Sequence, residues 1–210
     1  LLTGRVGEGD RFPVEVGGGR MVMEILGWEG PGSLNVAVEM GKAGFGVEAV
    51  GGDPEGFEPG ETLRAPDGSL LAVHPVSLGN PHCVVFRKDL RGEDLLELGP
   101  SLTVSPAFPA GVNLQLARVV GEGEVEILIW ERGVGRTTSS GTSACAVAAA
   151  SVQSGRIPPG RIRIWMEGGS FQVEVSPQMD IRLEGPVEPV FTGELSGRFL
   201  EALRKRPRAR

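Results

Sequence analysis

Residues 131–150, ERGVGRTTSSGTSACAVAAA, gather groups that can do chemistry on an anion. Glu131 and Arg132 supply opposite charges, and Gly133 and Gly135 allow close backbone approach. Ser139, Ser140, Thr142 and Ser143 then cluster where an alanine-rich run begins. A helix starting near Gly141-Thr142 presents unpaired backbone N–H groups and the positive end of its dipole. That is a setting for a carboxylate or a phosphate. One hydroxyl serves as N-cap in any such helix; four exceed that need. The stretch is not a P-loop, because the Lys-[Ser/Thr] ending is absent. Two other clusters add polar groups. In SLGNPHCVVF (77–86), Asn80-Pro81 begins a turn and His82 opens an apolar strand. In FPAGVNLQL (108–116), Asn113 enters another strand. Taken singly, a turn asparagine bonds its own backbone, and a histidine at a strand end is structural.

These groups must be positioned mostly by strands. FPVEV (12–16) and RMVMEIL (20–26) flank Gly17-Gly18-Gly19 and read as a hairpin. SLNVAVEM (33–40), LLAVHPVSL (70–78), HCVVF (82–86), VNLQLARVV (112–120) and EVEILIW (124–130) follow as strands. RIRIWM (161–166) and FQVEV (171–175) form a second hairpin across Glu167–Ser170. The glycine-rich segment 41–60 reads as an irregular crossover. Helices are few: a short one within 91–102, and Thr142–Ser154, apolar nearly all round and so buried on most sides. Gly155 stops that helix and Pro158-Pro159 forbids its continuation. A small-residue helix among strands predicts a sheet curled around it, an α+β layout.

With 210 residues the chain can bury a sizeable core as one large or two small domains. Its net charge of -6 argues against a nucleic-acid groove, and the basic tail 204–210 reads as a solvated terminus. No apolar run approaches the roughly 20 residues needed to span a bilayer and no signal peptide is evident, so no membrane role is expected and the cytoplasm is the default. The only cysteines, Cys83 and Cys145, read as core rather than as a disulfide framework.

Taken in order, GNPHCVVF (79–86), FPAGVNLQLARV (108–119), the 131–150 stretch and EGPVEPVFTGEL (184–195) resemble the diaminopimelate epimerase family. The resemblance implies two pseudo-symmetric α/β halves, each a curved mixed sheet around a central helix. Residues 1–41 and 187–210 would belong to the first half, and 42–186 would form the second around a helix at about 142–154. It also implies an N-terminally incomplete chain, family members carrying an upstream segment with a first catalytic cysteine. The implied activity is cofactor-independent epimerisation of LL- to meso-diaminopimelate, a lysine and cell-wall precursor, by two-base α-proton transfer. The implied partner is a small amino acid with carboxylates, the metal content none, and the assembly a homodimer. By position, Asn80 and Asn113 would bond the substrate's polar ends, Glu131 its amino group and Arg132 a carboxylate. Gly141 and Thr142 would donate to the α-carboxylate, and His82 and Glu131 would assist the acid/base pair.

The pattern breaks at two places. Ser140 stands where the family has its second catalytic cysteine, and Arg136 where it usually has glutamate. A serine hydroxyl is far less acidic than a thiol and needs a neighbouring base, for which Glu131 is the candidate. Four readings follow: an epimerase using Ser140, a related racemase, isomerase or dehydratase on another small carboxylate, a chain with an introduced serine, and a silent ligand-binding homologue. Cys145 lies within the helix on another face and does not replace the thiol.

Overall fold

Period-two segments become strands wherever a neighbour covers one face. In the computed structural model, which describes residues 7–16, 19–30 and 32–205, the strands are β1 (Arg11–Val16), β2 (Gly19–Gly30), β3 (Ser33–Lys42), β4 (Gly44–Phe45), β5 (Thr62–Arg64), β6 (Leu70–Ala72), β7 (His74–Ser77), β8 (Pro81–Phe86), β9 (Asn113–Gly121), β10 (Glu124–Glu131), β11 (Gly135–Thr137), β12 (Gly160–Met166), β13 (Gly169–Val175) and β14 (Asp180–Val187). The α-helices are α1 (Gly92–Thr103), α2 (Gly141–Gln153) and α3 (Gly197–Arg204), with two short 3-10 turns at Glu48–Val50 and Pro54–Gly56 in the glycine-rich segment. Gly17 and Gly18 of the first hairpin, residues 1–6 and the tail 206–210 lie outside the described residues. No helix among the described residues is long and apolar enough to cross a membrane.

Twelve strands form one mixed sheet in the order β1-β2-β3-β14-β13-β12-β10-β9-β8-β7-β4, with β11 added on β10. Two neighbouring pairs are parallel, β8 with β9 and β10 with β12. A parallel pair needs a crossover; α1 supplies the first and α2 the second. The crossovers fall on opposite faces of the sheet. Val84, Ala117, Ile127 and Ile129 pack with α2, whereas Cys83, Val85, Leu114 and Leu116 share a core with Leu95, Leu98 and Leu102 of α1. Alternation along β8 and β9 therefore sends every second side chain to α2, and that face carries the polar residues of interest.

Helix α2 is buried from Ser143 to Val152. Its five alanines are the best helix formers, and their small side chains let the curled sheet close on it from several sides. The end is a Schellman motif: Gly155 at φ 71° donates to the Val152 carbonyl and Arg156 to that of Ser151. The expected helix and its glycine stop are thus present, with each end of the helix one residue earlier than expected.

Three local features differ from expectation. The 70–78 segment is two strands, because the Val73 N–H donates to the Glu61 carbonyl and hands Leu70–Ala72 to a separate β5–β6 pair. β14 emerges from a segment whose Gly185-Pro186 argues against a strand; Pro186 sits near its end, and pairing with β3 over eight positions carries it. α3 forms in the C-terminal segment with none of its residues buried.

Candidate active site

The parallel register of β8 and β9 sets His82 beside Asn113, and Gln115 follows two residues on, on the same face. A chain of side-chain hydrogen bonds results. Gln115 Nε2 donates to Ser143 Oγ at 3.0 Å and lies 3.1 Å from His82 Nδ1. His82 Nε2 lies 3.1 Å from Asn80 Oδ1, and Asn80 Nδ2 reaches Thr142 Oγ1 at 3.5 Å. The run starts and finishes on the first turn of α2. His82 is fully buried; burial pushes its imidazole down to about 4, with the Arg132 charge acting in the same direction, so the ring is neutral at pH 7.

A second set of bonds fixes the mouth of β9. Asn113 Nδ2 donates to the Pro81 carbonyl (3.1 Å), and its Oδ1 accepts the Arg132 backbone N–H (2.9 Å). The Arg132 guanidinium donates to the Ala110 carbonyl at 2.6 Å and that of Gly111 at 3.4 Å. It lines a cavity of about 440 Å³ with Ser105, Phe108 and Gly111. A separate cavity of about 460 Å³ lies beside Asn80 and Thr142, walled by Met21, Met40 and Leu78 and carrying Arg20 and Lys42.

The first of these sets ends on the N-terminus of α2. Ser140 occupies the N-cap position with extended backbone, yet its hydroxyl accepts no capping bond. Among the described residues no acceptor sits on the N–H groups of Gly141, Thr142 or Ser143. The approach to this end is pinned from outside. Gly168 donates to the Thr138 carbonyl at 2.8 Å, where a Cβ would be a tight fit at 3.0 Å from that oxygen, and Arg136 grips Glu167 with two hydrogen bonds. Gly141 is pressed against Leu183 of β14, where a Cβ would come within 2.9 Å of the leucine methyl. The helix end is thereby fixed while its donors stay free, an arrangement suited to an anion.

The chain matches the family model described as diaminopimelate epimerase over residues 75–190, more than half its length. It belongs to the diaminopimelate epimerase family. Diaminopimelate epimerases from Desulforudis audaxviator (44% identical, 67% of this chain and 50% of the relative) and Thermosynechococcus vestitus (32% identical, 92% and 69%) are among its relatives. The chain spans from half to about two thirds of the length of the curated relatives it matches. Two solved structures share the fold at low identity. A hydroxyproline epimerase from Agrobacterium vitis, with bound trans-4-hydroxy-L-proline, superposes with a TM-score of 0.67 at 16% identity over 89% of this chain and 60% of that one. A phenazine biosynthesis protein from Bacillus anthracis gives 0.53 at 10% identity over 90% and 72%.

Of the residues expected at the site, Asn80, His82 and Thr142 join one hydrogen-bonded chain, and Asn113 and Arg132 another. Ser140 and Gly141 stand at the helix end. Glu131 ends β10 on the same face as Ile127 and Ile129, and no hydrogen bond joins it to Ser140. Gln115, which links His82 to α2, was not singled out from the sequence. Its signal was an amide two residues after Asn113, on a strand face that is otherwise apolar. Cys83 and Cys145 are both fully buried core thiols, raised by burial, Cys83 to about 12.

Proposed function

We propose that this chain contributes to cofactor-independent α-proton transfer on an amino acid bearing carboxylates, of the diaminopimelate type, in the cytoplasm. The observation that carries the reading is the N-terminus of α2: three N–H groups without acceptors among the described residues, beside a Ser140 whose hydroxyl makes no capping bond. In this reading the α-carboxylate sits on those N–H groups. Removing the α-proton leaves an electron pair on the carbon, delocalised into the carboxylate, where the fixed donors hold the growing negative charge. Arg20 and Lys42 across the neighbouring cavity favour an anionic ligand.

In this reading the α-proton passes to the Ser140 oxygen, whose own proton must first go to a base, for which Glu131 is the candidate. Inversion needs a second proton donor on the opposite face of the carbon. Cys83 and Cys145 are unsuited to that role, since burial holds both as thiols away from the site. His82 has both ring nitrogens engaged within the protein, so its assistance would be to hold Asn80 rather than to take a proton. Asn113 would set the path of Arg132, and Glu131 would meet the amino group. We assign 42–186 to the unit around α2, and 1–41 with 187–210 to the other half.

The test is incubation with LL- and meso-diaminopimelate in deuterated water. Deuterium entering the α-position is expected; its appearance without change of stereochemistry would mean that only one face is served. No exchange with any diamino acid would sink the proposal.

A further inference from the structure

Gln115 is fully buried, and its amide nitrogen has two hydrogens and no capacity to accept. One hydrogen goes to Ser143 Oγ, and the other meets His82 Nδ1. Nδ1 must then be the acceptor. The single proton of the neutral imidazole lies on Nε2 and is donated to Asn80 Oδ1, which can only accept. With its carbonyl held, the Asn80 amide turns its N–H groups toward Thr142 and the cavity beside it. The reversed arrangement of both amides would leave two Gln115 hydrogens buried without acceptors. The observed one leaves only the Gln115 carbonyl oxygen without a partner, and an orphaned carbonyl is the better tolerated of the two.

We propose that Gln115 is a positioning residue for the carboxylate seat: by donating to both Ser143 and His82 it fixes the Nε2–H tautomer, and so presents Asn80 to the ligand as a donor. This inference rests on the reading of the α2 N-terminus as that seat. Its content is a matter of sign. Asn80 then turns a donor toward the helix end, of the same sign as the free N–H groups of Gly141, Thr142 and Ser143. Were the imidazole held as the Nδ1–H tautomer, Asn80 would donate to His82 and turn its carbonyl oxygen toward the ligand, where it would repel a carboxylate.

Two measurements on the full chain test this. Long-range ¹H–¹⁵N correlation of the His82 ring at pH 7 should show the Nε2–H tautomer; an Nδ1–H tautomer or an imidazolium overturns the proposal without any variant being made. Titration with meso-diaminopimelate, followed at the backbone amides of 141–143, should give an affinity about tenfold weaker in Gln115→Met, as expected for the loss of one hydrogen bond to a charged group. The milder Ser143→Ala, which frees one Gln115 hydrogen, should shift the tautomer balance and weaken binding in the same direction. Unchanged affinity in both variants, with the natural chain binding normally, overturns the proposal alone. If the natural chain shows no response at those amides, the carboxylate seat itself fails and the inference falls with it.

Discussion

Two serines open two helices in this chain, Ser140 before α2 and Ser196 before α3, and their hydroxyls are used differently. Ser196 accepts the Phe199 N–H at 3.3 Å, a conventional cap. Ser140 accepts nothing from its helix. The difference follows from what else holds each helix. α3 has no buried residue and depends on its local bonds, whereas α2 buries ten consecutive residues in the curled sheet. A cap is worth about 1 kcal/mol, and burying even one larger apolar side chain exceeds that. A helix secured by packing can leave its N-terminal donors unused, and those donors are then available to a ligand.

The largest expected effect separates the two serines by chemistry. Ser140→Cys should raise α-hydrogen exchange on diaminopimelate by about a hundredfold or more, because a thiol at a helix N-terminus ionises near neutral pH. Deuterium incorporation followed by NMR measures it, and an unchanged rate would show that position 140 handles no proton.

Acid should then loosen the surroundings of α2 before it touches α3. His82 titrates at about 4 in the folded chain against 6.5 unfolded, so between those values the unfolded state binds the extra proton. The stability this gives is complete above pH 6.5 and is lost as pH falls toward 4, up to about 3 kcal/mol. His74, also lowered by burial, acts in the same sense. Urea midpoints from pH 7.5 to 5 should therefore fall less steeply in His82→Gln than in the natural chain; parallel curves would contradict the neutral, buried ring.

Packing offers a third contrast. Ala148 is fully enclosed within α2, so Ala148→Leu should destabilise by about 1–3 kcal/mol. Leu200→Ala on the exposed α3 should change the same urea midpoint by less than about 0.5 kcal/mol. Comparable losses would mean that α3 is covered in solution. The smallest effect is local. Ser196→Ala should cost α3 about 1 kcal/mol of protection in hydrogen exchange, while Ser140→Ala leaves α2 protection unchanged.

The strand pattern was legible because side-chain alternation is a local property. β9, β10, β12 and β13 fall within a residue or two of the segments read from period two, and the stop at Gly155 needs only a residue free to take positive φ. β14 was less legible, since Gly185 and Pro186 are poor strand residues and its partner β3 is about 140 positions earlier in the chain. The break at Val73 was hidden for a similar reason: the acceptor that bends the chain, Glu61, belongs to a different element. At the site, Asn80, His82 and Asn113 stood out as polar residues at strand entrances. Gln115 did not, because an amide inside a strand acquires meaning only when another chain segment brings His82 and Ser143 to it.

By itself the sequence determined which residues could do chemistry and the order in which they come, since residue type and spacing are covalent facts. It also determined that a small-residue helix must be buried. The tertiary structure decided what those groups are free to do. It closed His82, Gln115 and Asn80 into one hydrogen-bonded chain and turned the Arg132 guanidinium onto backbone carbonyls. Among the described residues it also left the Ser140 hydroxyl and three helix N–H groups unpaired. Hydrogen-bond saturation depends on neighbours from distant segments, and only packing those segments together settles which donors are used and which remain.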